Sequence, residues 1–147
     1  MTPRLARTDE AAALRALVRA AYAHYVPLLG REPAPMTDDY EARVAAGQAW
    51  LLEGEDAPIG VLVLEDTPEG LLIDNIAVAA PGQGLGRGLM AFAEAEALRR
   101  GHKRIWLYTN EKMVKNIALY THLGFTETHR AESSGGHRRV FMEKHLA

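Results

Sequence analysis

Apolar residues near the start of the chain recur at helical spacing. After a short first strand predicted at residues 4–7, the apolar positions up to residue 25 lie three or four residues apart. This spacing predicts a helix with one buried stripe, which Thr8 or Asp9 is suited to cap. The residues of the stripe are Leu14, Leu17, Val18, Ala21 and Tyr25.

Prolines and a glycine interrupt the helical pattern after residue 25. Three prolines and one glycine fall within residues 27–35, which predicts an irregular loop. Thr37 is expected to cap a second short helix that ends near Gly47.

From residue 50 onward the pattern changes to short apolar segments separated by turns. An antiparallel meander is predicted for residues 50–53, 59–65 and 71–78. The rest of the chain is expected to alternate between helices and strands, with helices at 86–100 and 113–123 and strands at 104–109, 125–130 and from 137 onward. The predicted order of elements is therefore β-α-α-β-β-β-α-β-α-β-β.

Length and composition limit the classes of protein to consider. The chain has 147 residues, 48% of them hydrophobic and 24% charged, which favours a single domain over residues 1–147. A formal net charge of −2 with no basic run argues against a nucleic-acid partner. The first residues lack the apolar block of a signal peptide and no apolar run reaches membrane-spanning length, so we expect a cytoplasmic protein with no membrane partner. The absence of cysteine excludes disulfides, thiolate metal sites and a cysteine acyl-enzyme.

A glycine-rich segment follows the third strand of the meander. In the sequence IAVAAPGQGLGRGL, which begins at Ile76, glycines occupy positions 82, 84, 86 and 88 directly before a predicted helix. Glycine permits positive φ and close approach of backbone N–H groups to an anion, so the segment predicts a phosphate-binding turn. A Walker A loop would need Lys followed by Ser or Thr where Gly88 and Leu89 stand, and the glycine spacing of a Rossmann fingerprint also fails.

The pattern that remains, Gln-x-x-Gly-x-Gly at residues 83–88, resembles the acyl-CoA-binding motif of the GNAT superfamily of N-acetyltransferases. A second segment, NIALYTHLGF from Asn116 to Phe125, is similar to the tyrosine-containing helix of that superfamily, and the element order agrees over nearly the whole chain. The resemblance implies an α/β (α+β) fold with a mixed, mostly antiparallel central sheet of about six to seven strands flanked by about four helices. It also implies an acetyl-CoA-dependent N-acetyltransferase that needs no metal.

The resemblance implies roles for individual residues as well. It makes Tyr120 the general acid at the departing sulfur; otherwise Tyr120 is a core residue. It assigns the pantetheine arm to the backbone of three strand residues and the pyrophosphate to the glycine turn. These cofactor-binding candidates are Ile76, Ala77 and Val78 for the arm, and Gln83, Gly84, Leu85, Gly86, Arg87 and Gly88 for the pyrophosphate.

One helix departs from the superfamily pattern. Met113 stands where the superfamily usually has asparagine. Asn116, one helical turn before Tyr120, either replaces the missing cofactor contact or is an ordinary surface amide.

Asp74 is the candidate general base. By the period-two rule Leu72, Asp74, Ile76 and Val78 should share one face of their strand, where partial burial would raise the pKa of Asp74 and make it a better base. Alternatively, Asp74 faces solvent or binds a cationic substrate. Asn75, on the opposite face, is less favoured.

The acceptor is not fixed by the sequence. Tyr22, His24 and Tyr25 end the first helix, where the resemblance suggests an acceptor pocket, although core packing also accounts for Tyr25. The six histidines lack metal-site spacing, so no metal is expected. We expect acetyl transfer to a primary amine, favouring a small molecule, in a ternary complex and with a homodimer as one option. The alternative is a non-catalytic acyl-CoA-binding or sensing module.

Overall fold

The computed structural model describes residues 2–146, which fold around one seven-stranded sheet. Its strands are β1 (Arg4–Leu5), β2 (Ala49–Leu52), β3 (Gly60–Thr67), β4 (Gly70–Val78), β5 (Arg104–Asn110), β6 (Thr126–Glu132) and β7 (Arg138–His145). They are arranged in the order β1-β2-β3-β4-β5-β7-β6. Neighbouring strands are antiparallel except β4 and β5, which are parallel. The sheet is therefore mixed and mostly antiparallel, as the sequence predicts.

Helices cover both faces of the sheet. They are α1 (Ala11–Tyr22), α2 (Val26–Leu29), α3 (Ala34–Thr37), α4 (Tyr40–Ala45), α5 (Leu85–Arg99) and α6 (Val114–His122). The first core lies between the sheet and α1 to α4, where Leu14, Val18 and Tyr40 are fully buried. The second lies between the sheet, α5 and α6, around Leu89, Ala93 and Phe125. The sheet is thus the middle of three layers.

The buried stripe of α1 agrees with the predicted spacing. Leu14, Leu17 and Val18 are buried, and Tyr22 is buried in the place expected for Tyr25. The predicted cap is wrong, because Thr8 and Asp9 lie in a 3-10 turn and no side chain caps the helix.

The proline-rich segment is more ordered than predicted. A loop was expected at residues 27–35, but α2 and α3 both extend into this segment, and each forms one turn of helix with a proline in the first turn. Proline fits there because the first N–H groups of a helix have no partner within it. Thr37 belongs to α3, and the side chain of Asp39 caps α4 by accepting a hydrogen bond from Ala42 N at 3.0 Å. These two short helices add to the four that the sequence predicts.

The parallel pair at the centre of the sheet separates soon after it forms. β4 and β5 are paired at Leu71 with Ile105 and at Leu72 with Trp106. From Ile73 to Val78, the edge of β4 that faces β5 has no partner strand among residues 2–146. This splay leaves N–H and C=O groups of β4 open along one side of a gap in the sheet.

Candidate active site

A β-bulge in β4 sets the direction of the side chains beside the gap. Val63 of β3 pairs with Asn75 and Leu64 pairs with Ile73, so Asp74 is the extra residue. A bulge reverses the alternation of side chains along a strand. Ile73, Ile76 and Val78 consequently pack on the α5 side, and Ala77 packs on the α1 side.

The bulge overturns the predicted strand face. Asp74 contacts α4, and Asn75 bonds to residues of α1 and α4, so these two neighbours lie on the same side of the sheet. Asp74 therefore does not share a face with Ile76 and Val78, and Asn75 is not opposite to it. The period-two rule fails here because it assumes a regular strand.

Asp74 is a largely buried carboxylate with one cationic neighbour. Its side chain is 9% exposed, and its buried Oδ2 lies 3.1 Å from Arg43 Nη1 without the geometry of a hydrogen bond. Burial raises the pKa of Asp74 to about 6; Arg43 opposes the rise, and Glu65 and Asp38 add to it. At neutral pH the group is mostly ionised, yet it is far more basic than an ordinary aspartate.

Arg43 is fixed by several partners beside Asp74. Its Nε donates to Asp38 Oδ2 at 3.0 Å, and its Nη1 donates to Gln48 Oε1 at 2.9 Å. Glu65 Oε1 lies 3.8 Å away. The guanidinium is therefore held in place from α4 while one side of it faces Asp74.

Asn75 is the centre of a buried chain of hydrogen bonds. Tyr22 Oη donates to Asn75 Oδ1 at 3.0 Å and lies 3.3 Å from the carbonyl oxygen of Ile76. Asn75 Nδ2 donates to Tyr40 Oη at 3.1 Å, and Tyr40 Oη donates to the carbonyl of Pro35 at 2.5 Å. This chain joins α1, the bulge and the proline-rich segment, and buried polar groups that are all paired hold one arrangement.

Tyr120 lies on the other side of the gap, on α6. The residue is 7% exposed, and its ring meets that of Phe125 edge to face at a centroid distance of 6.0 Å. Burial raises the pKa of the phenol above its usual value. Its hydroxyl has no hydrogen-bond partner among residues 2–146, so it is available to donate to a ligand.

The start of α6 brings two further residues to the site. Asn116 Oδ1 accepts a hydrogen bond from Tyr25 Oη at 3.2 Å, which connects α6 to the 3-10 turn that follows α1. Met113 is buried at the N-terminus of α6, where its sulfur accepts a long contact of 3.7 Å from Thr109 Oγ1. Met113 thus packs where an asparagine would offer an amide.

The glycine turn forms the N-terminus of α5. Gly82 has φ of 82° and Gly84 has φ of 76°, so both need the left-handed conformation that glycine adopts freely. Gly86 and Gly88 are helical, which corrects the expectation of positive φ at all four glycines. Apart from the chain neighbours and the backbone of α5 itself, no atom of residues 2–146 lies within 4 Å of where a Cβ would stand at any of the four. Their small size leaves the main chain open to a ligand.

The first turn of α5 presents main-chain donors. The first helical hydrogen bond runs from Gly88 N to the carbonyl of Gly84 at 3.1 Å, and no side chain caps the helix. The N–H groups of Leu85, Gly86 and Arg87 therefore point out of the helix end without a helical acceptor. Such groups, together with the helix dipole, form a site for an anion. The residues present fit a pyrophosphate.

A cavity of about 520 Å³ brings together part of the predicted site. Five of the predicted residues line it, namely Tyr22, Asp74, Ile76, Asn116 and Tyr120. Ala77, Val78 and the glycine turn lie outside it, as do Tyr25 and the exposed His24, whose ring centroid lies 4.0 Å from that of Tyr25 with the two rings tilted by 38°. The cavity therefore joins both catalytic candidates, whereas the glycine turn is a separate surface.

Sequence reasoning left several residues of the cavity out of the predicted site, and it weighed Asn75 among them but did not favour it. Asn75, Arg43, Arg31 and Arg139 all line the cavity. Two adjacent polar residues inside an apolar strand, as at Asp74 and Asn75, are a signal of a bulge that could have found Asn75. The three arginines carry no local signal, because tertiary packing brings them in from α4, from the segment after α2 and from β7.

Two classes of feature are absent from residues 2–146. None of the helices there has the length and apolar character needed to cross a bilayer. No three acidic or histidine side chains within the same residues are grouped as metal ligands.

Comparison with known proteins yields relatives that match part of the chain. N-alpha-acetyltransferase 80 of Mus musculus is 40% identical over 62 residues, which are 41% of this chain and 18% of that protein. Mycothiol acetyltransferase of Jonesia denitrificans is 34% identical over 76 residues, which are 49% of this chain and 24% of that protein. The matches thus span less than a quarter of the length of either curated relative.

The fold is shared more widely than the sequence. The PaiA N-acetyltransferase of Thermoplasma acidophilum, solved in complex with coenzyme A, superposes with a TM-score of 0.79 over 99% of this chain and 98% of that one, at 14% identity. The mixed, mostly antiparallel fold predicted from the sequence is confirmed. Residues 13–125 match the model of the acetyltransferase (GNAT) family. Because this match covers most of the chain and the fold agrees, the protein belongs to the GNAT family of acetyltransferases.

Proposed function

We propose that this protein transfers an acetyl group from acetyl-CoA to a primary amine of a small molecule, by direct attack in a ternary complex. One observation carries the proposal: the gap between β4 and β5 opens into a cavity lined by both a basic carboxylate, Asp74, and a buried phenol, Tyr120. These are the two proton-handling groups that transfer from a thioester to an amine requires.

Two main-chain surfaces of the protein fit coenzyme A. The free N–H groups at Leu85, Gly86 and Arg87 would hold the pyrophosphate, with Arg87 as an added positive charge. The unpaired edge of β4 at Ile76 to Val78 would bind the amides of the pantetheine arm as a neighbouring strand would. Asn116 lines the cavity on the opposite side and is a further candidate contact for the arm. When bound, acetyl-CoA supplies the acetyl group as an activated thioester.

Asp74 would accept the proton of the attacking amine. An alkyl ammonium with a pKa of about 10.4 is neutral at pH 7 in about one molecule in 2,500. Removing its proton at that pH therefore costs about 4.6 kcal/mol. With a pKa of about 6, Asp74 is mostly ionised at that pH, and it is more basic than an ordinary aspartate by a factor of about a hundred. Burial thus makes the carboxylate a better proton acceptor while leaving it charged.

Tyr120 would stabilise the departing sulfur by a hydrogen bond. A thiol has a pKa of about 8.5, below the roughly 10 of an ordinary phenol, so complete proton transfer from tyrosine to thiolate is uphill. Burial raises the pKa of Tyr120 and makes that transfer still less favourable. We therefore assign Tyr120 a hydrogen bond to sulfur, with the proton remaining mainly on the phenol.

The first experiment measures release of the coenzyme A thiol across a panel of amines, with calorimetry for acetyl-CoA binding. Tyr120→Phe is expected to lower kcat about ten- to a hundredfold, since a hydrogen bond to a charged group is worth about 1.5–3 kcal/mol. Acetyl-CoA affinity should stay within about twofold. A variant that keeps more than half of kcat would remove Tyr120 from the mechanism.

The same experiment separates the enzyme from its alternative. The buried Met113, in place of a cofactor-binding asparagine, favours a module that binds acyl-CoA without turnover. Tight binding with no thiol release from any amine would support that module. Cytoplasmic location and a homodimer stay predictions from the sequence.

A further inference from the structure

The charged side chains that line the cavity are not evenly paired. Three are basic, Arg31, Arg43 and Arg139, and three are acidic, Glu32, Asp38 and Asp74. Arg43 is paired with both aspartates, and Glu32 forms an ion pair of 2.7 Å with Arg19, outside the cavity. Within residues 2–146, neither Arg31 nor Arg139 has a carboxylate within 4 Å. The cavity therefore holds two arginines whose charge no protein carboxylate balances.

Arg139 is held in place without an anionic partner. Its Cζ lies 4.4 Å from the centroid of the Tyr108 ring, and both residues line the cavity. Stacking on an aromatic face fixes the plane of a guanidinium and leaves its N–H groups free to bind an oxyanion. β7 supplies Arg139 and pairs with β5 through Asn110, so the group is attached to the rigid sheet.

Arg31 approaches the same wall from the segment after α2. Its Nη1 donates to Ser134 Oγ at 3.1 Å, and Ser133 and Ser134 also line the cavity. Arg31 and Lys112 also place positive charge near His137, and burial together with these charges lowers the pKa of that residue. The part of the cavity beside the start of β7 therefore offers two guanidinium groups and serine hydroxyls, a set of donors suited to a carboxylate or a phosphate.

The part of the cavity beside α4 and β4 has the reverse charge. There the single cation of Arg43 faces Asp38 and Asp74. Glu65 Oε1 lies 3.8 Å from Arg43 Nη1, so negative charge is in excess when these carboxyl groups are ionised. β4 carries Asp74 and β7 carries Arg139, and β5 lies between them. Two strand spacings in a regular sheet amount to about 10 Å, and because β4 has already separated from β5 at Asp74, the two backbones lie at least that far apart. The long side chain of Arg139 shortens this distance, so a small molecule can extend from the guanidinium to the carboxylate.

We infer that the acceptor is a small amine that also carries an anionic group, a carboxylate or a phosphate, bound by Arg31 and Arg139 while its amine faces Asp74. This inference rests on the proposed acetyl transfer and narrows its substrate class. Both charged ends of such a molecule meet the opposite charge in the cavity, and a neutral or polycationic amine would leave the arginines without a partner.

The test compares acceptors that differ only in the anionic group. Each amino acid is assayed beside its amide and its decarboxylated amine, and O-phosphoethanolamine is assayed beside ethanolamine, by release of the coenzyme A thiol. For the best pair, the wild type should favour the anionic member by about ten- to a hundredfold in kcat/KM. The carboxylate and phosphate arms show which anion is recognised.

The variants assign this preference to one residue. Arg139→Gln should raise KM for the anionic acceptor about ten- to a hundredfold, with kcat within about threefold and no change for the neutral analogue. Arg138→Gln is the matched control, because Arg138 is exposed on the same strand and does not line the cavity. Arg138→Gln should leave KM for the anionic acceptor, kcat and the kinetics of the neutral analogue unchanged.

Two results would overturn the inference while leaving acetyl transfer intact: equal kcat/KM for the anionic and neutral members of every pair, or an Arg139→Gln variant that keeps the wild-type preference. If no amine releases the thiol, the proposed function fails, and calorimetry of the same pairs on the coenzyme A complex decides the inference. Tighter binding of the anionic member by tenfold or more would support it, and equal binding would overturn it.

Discussion

Replacing Asp74 with asparagine should make the protein more stable and less active at neutral pH. Asn resembles the protonated carboxyl in shape and charge but cannot ionise. Arg43 keeps its hydrogen bonds to Asp38 at 3.0 Å and to Gln48 at 2.9 Å, so the variant does not leave that cation without partners. The substitution therefore removes mainly the cost of a buried negative charge.

The magnitude follows from the two pKa values of Asp74. Its folded-state pKa is about 6, against 3.8 for an ordinary aspartate, and a difference of about two pH units is worth about 3 kcal/mol. Between pH 3.8 and 6 the folded protein holds a proton that the unfolded chain has lost, so the free energy of unfolding falls as pH rises. The loss is complete above pH 6. The Asp74→Asn variant has no carboxyl group to ionise and does not lose this stability. Its free energy of unfolding, relative to that of the wild type, should therefore increase by about 3 kcal/mol from low to neutral pH.

Urea unfolding of both proteins at pH 4 and pH 7.5 measures most of this change, about 2.4 kcal/mol, because an unfolded aspartate is already more than half ionised at pH 4. Asp56→Asn, on the exposed segment between β2 and β3, is the control for loss of one negative charge and should differ from wild type equally at the two pH values. In the thiol-release assay Asp74→Asn should lose a hundredfold or more in kcat/KM if Asp74 is the base. A stability difference that changes by less than about 1 kcal/mol between the two pH values would refute a desolvated Asp74.

Two further substitutions, one of them with a control, test the glycine turn as an anion site and Arg43 as the neighbour of Asp74. Gly84→Ala and Gly47→Ala force alanine into φ of 76° and 70°, so each should cost about 1 kcal/mol of stability, but only Gly84→Ala should weaken coenzyme A binding in calorimetry. Equal coenzyme A affinity in the two variants would argue against the turn as the pyrophosphate site. Arg43→Gln removes the charge that lowers the pKa of Asp74, so the acidic limb of the kcat/KM profile should move from about pH 6 to higher pH. If the acidic limb of the profile does not move, Asp74 is not the group whose ionisation controls catalysis.

The features that the sequence predicts correctly depend on local patterns. The spacing of apolar residues gave α1 and the strands, and the glycines at 82–88 marked the start of α5. The motif beginning at Gln83 and the helix containing Tyr120 identified the family, which the match to residues 13–125 confirms. These predictions succeed because each pattern acts within one element or one turn.

The features that were missed depend on contacts between distant segments. The bulge at Asp74 arises from pairing with β3. It places Ile76 and Val78 on the face opposite to Asp74, whereas the sequence predicts one shared face. Asn75 is buried because Tyr22 and Tyr40, 53 and 35 residues away in sequence, satisfy its side-chain amide. The charge of the cavity likewise depends on which arginines lack a carboxylate once the chain is folded. The roles of Asp74, Tyr120 and the cofactor-binding residues stay predictions.

The splay of β4 away from β5 has an evolutionary consequence. A groove built from peptide groups makes few demands on the identity of the amino acids beside it, so those positions can diverge while the groove persists. The Thermoplasma acidophilum protein has the same architecture at only 14% identity. Side chains beside such a groove can change without altering the framework of the sheet.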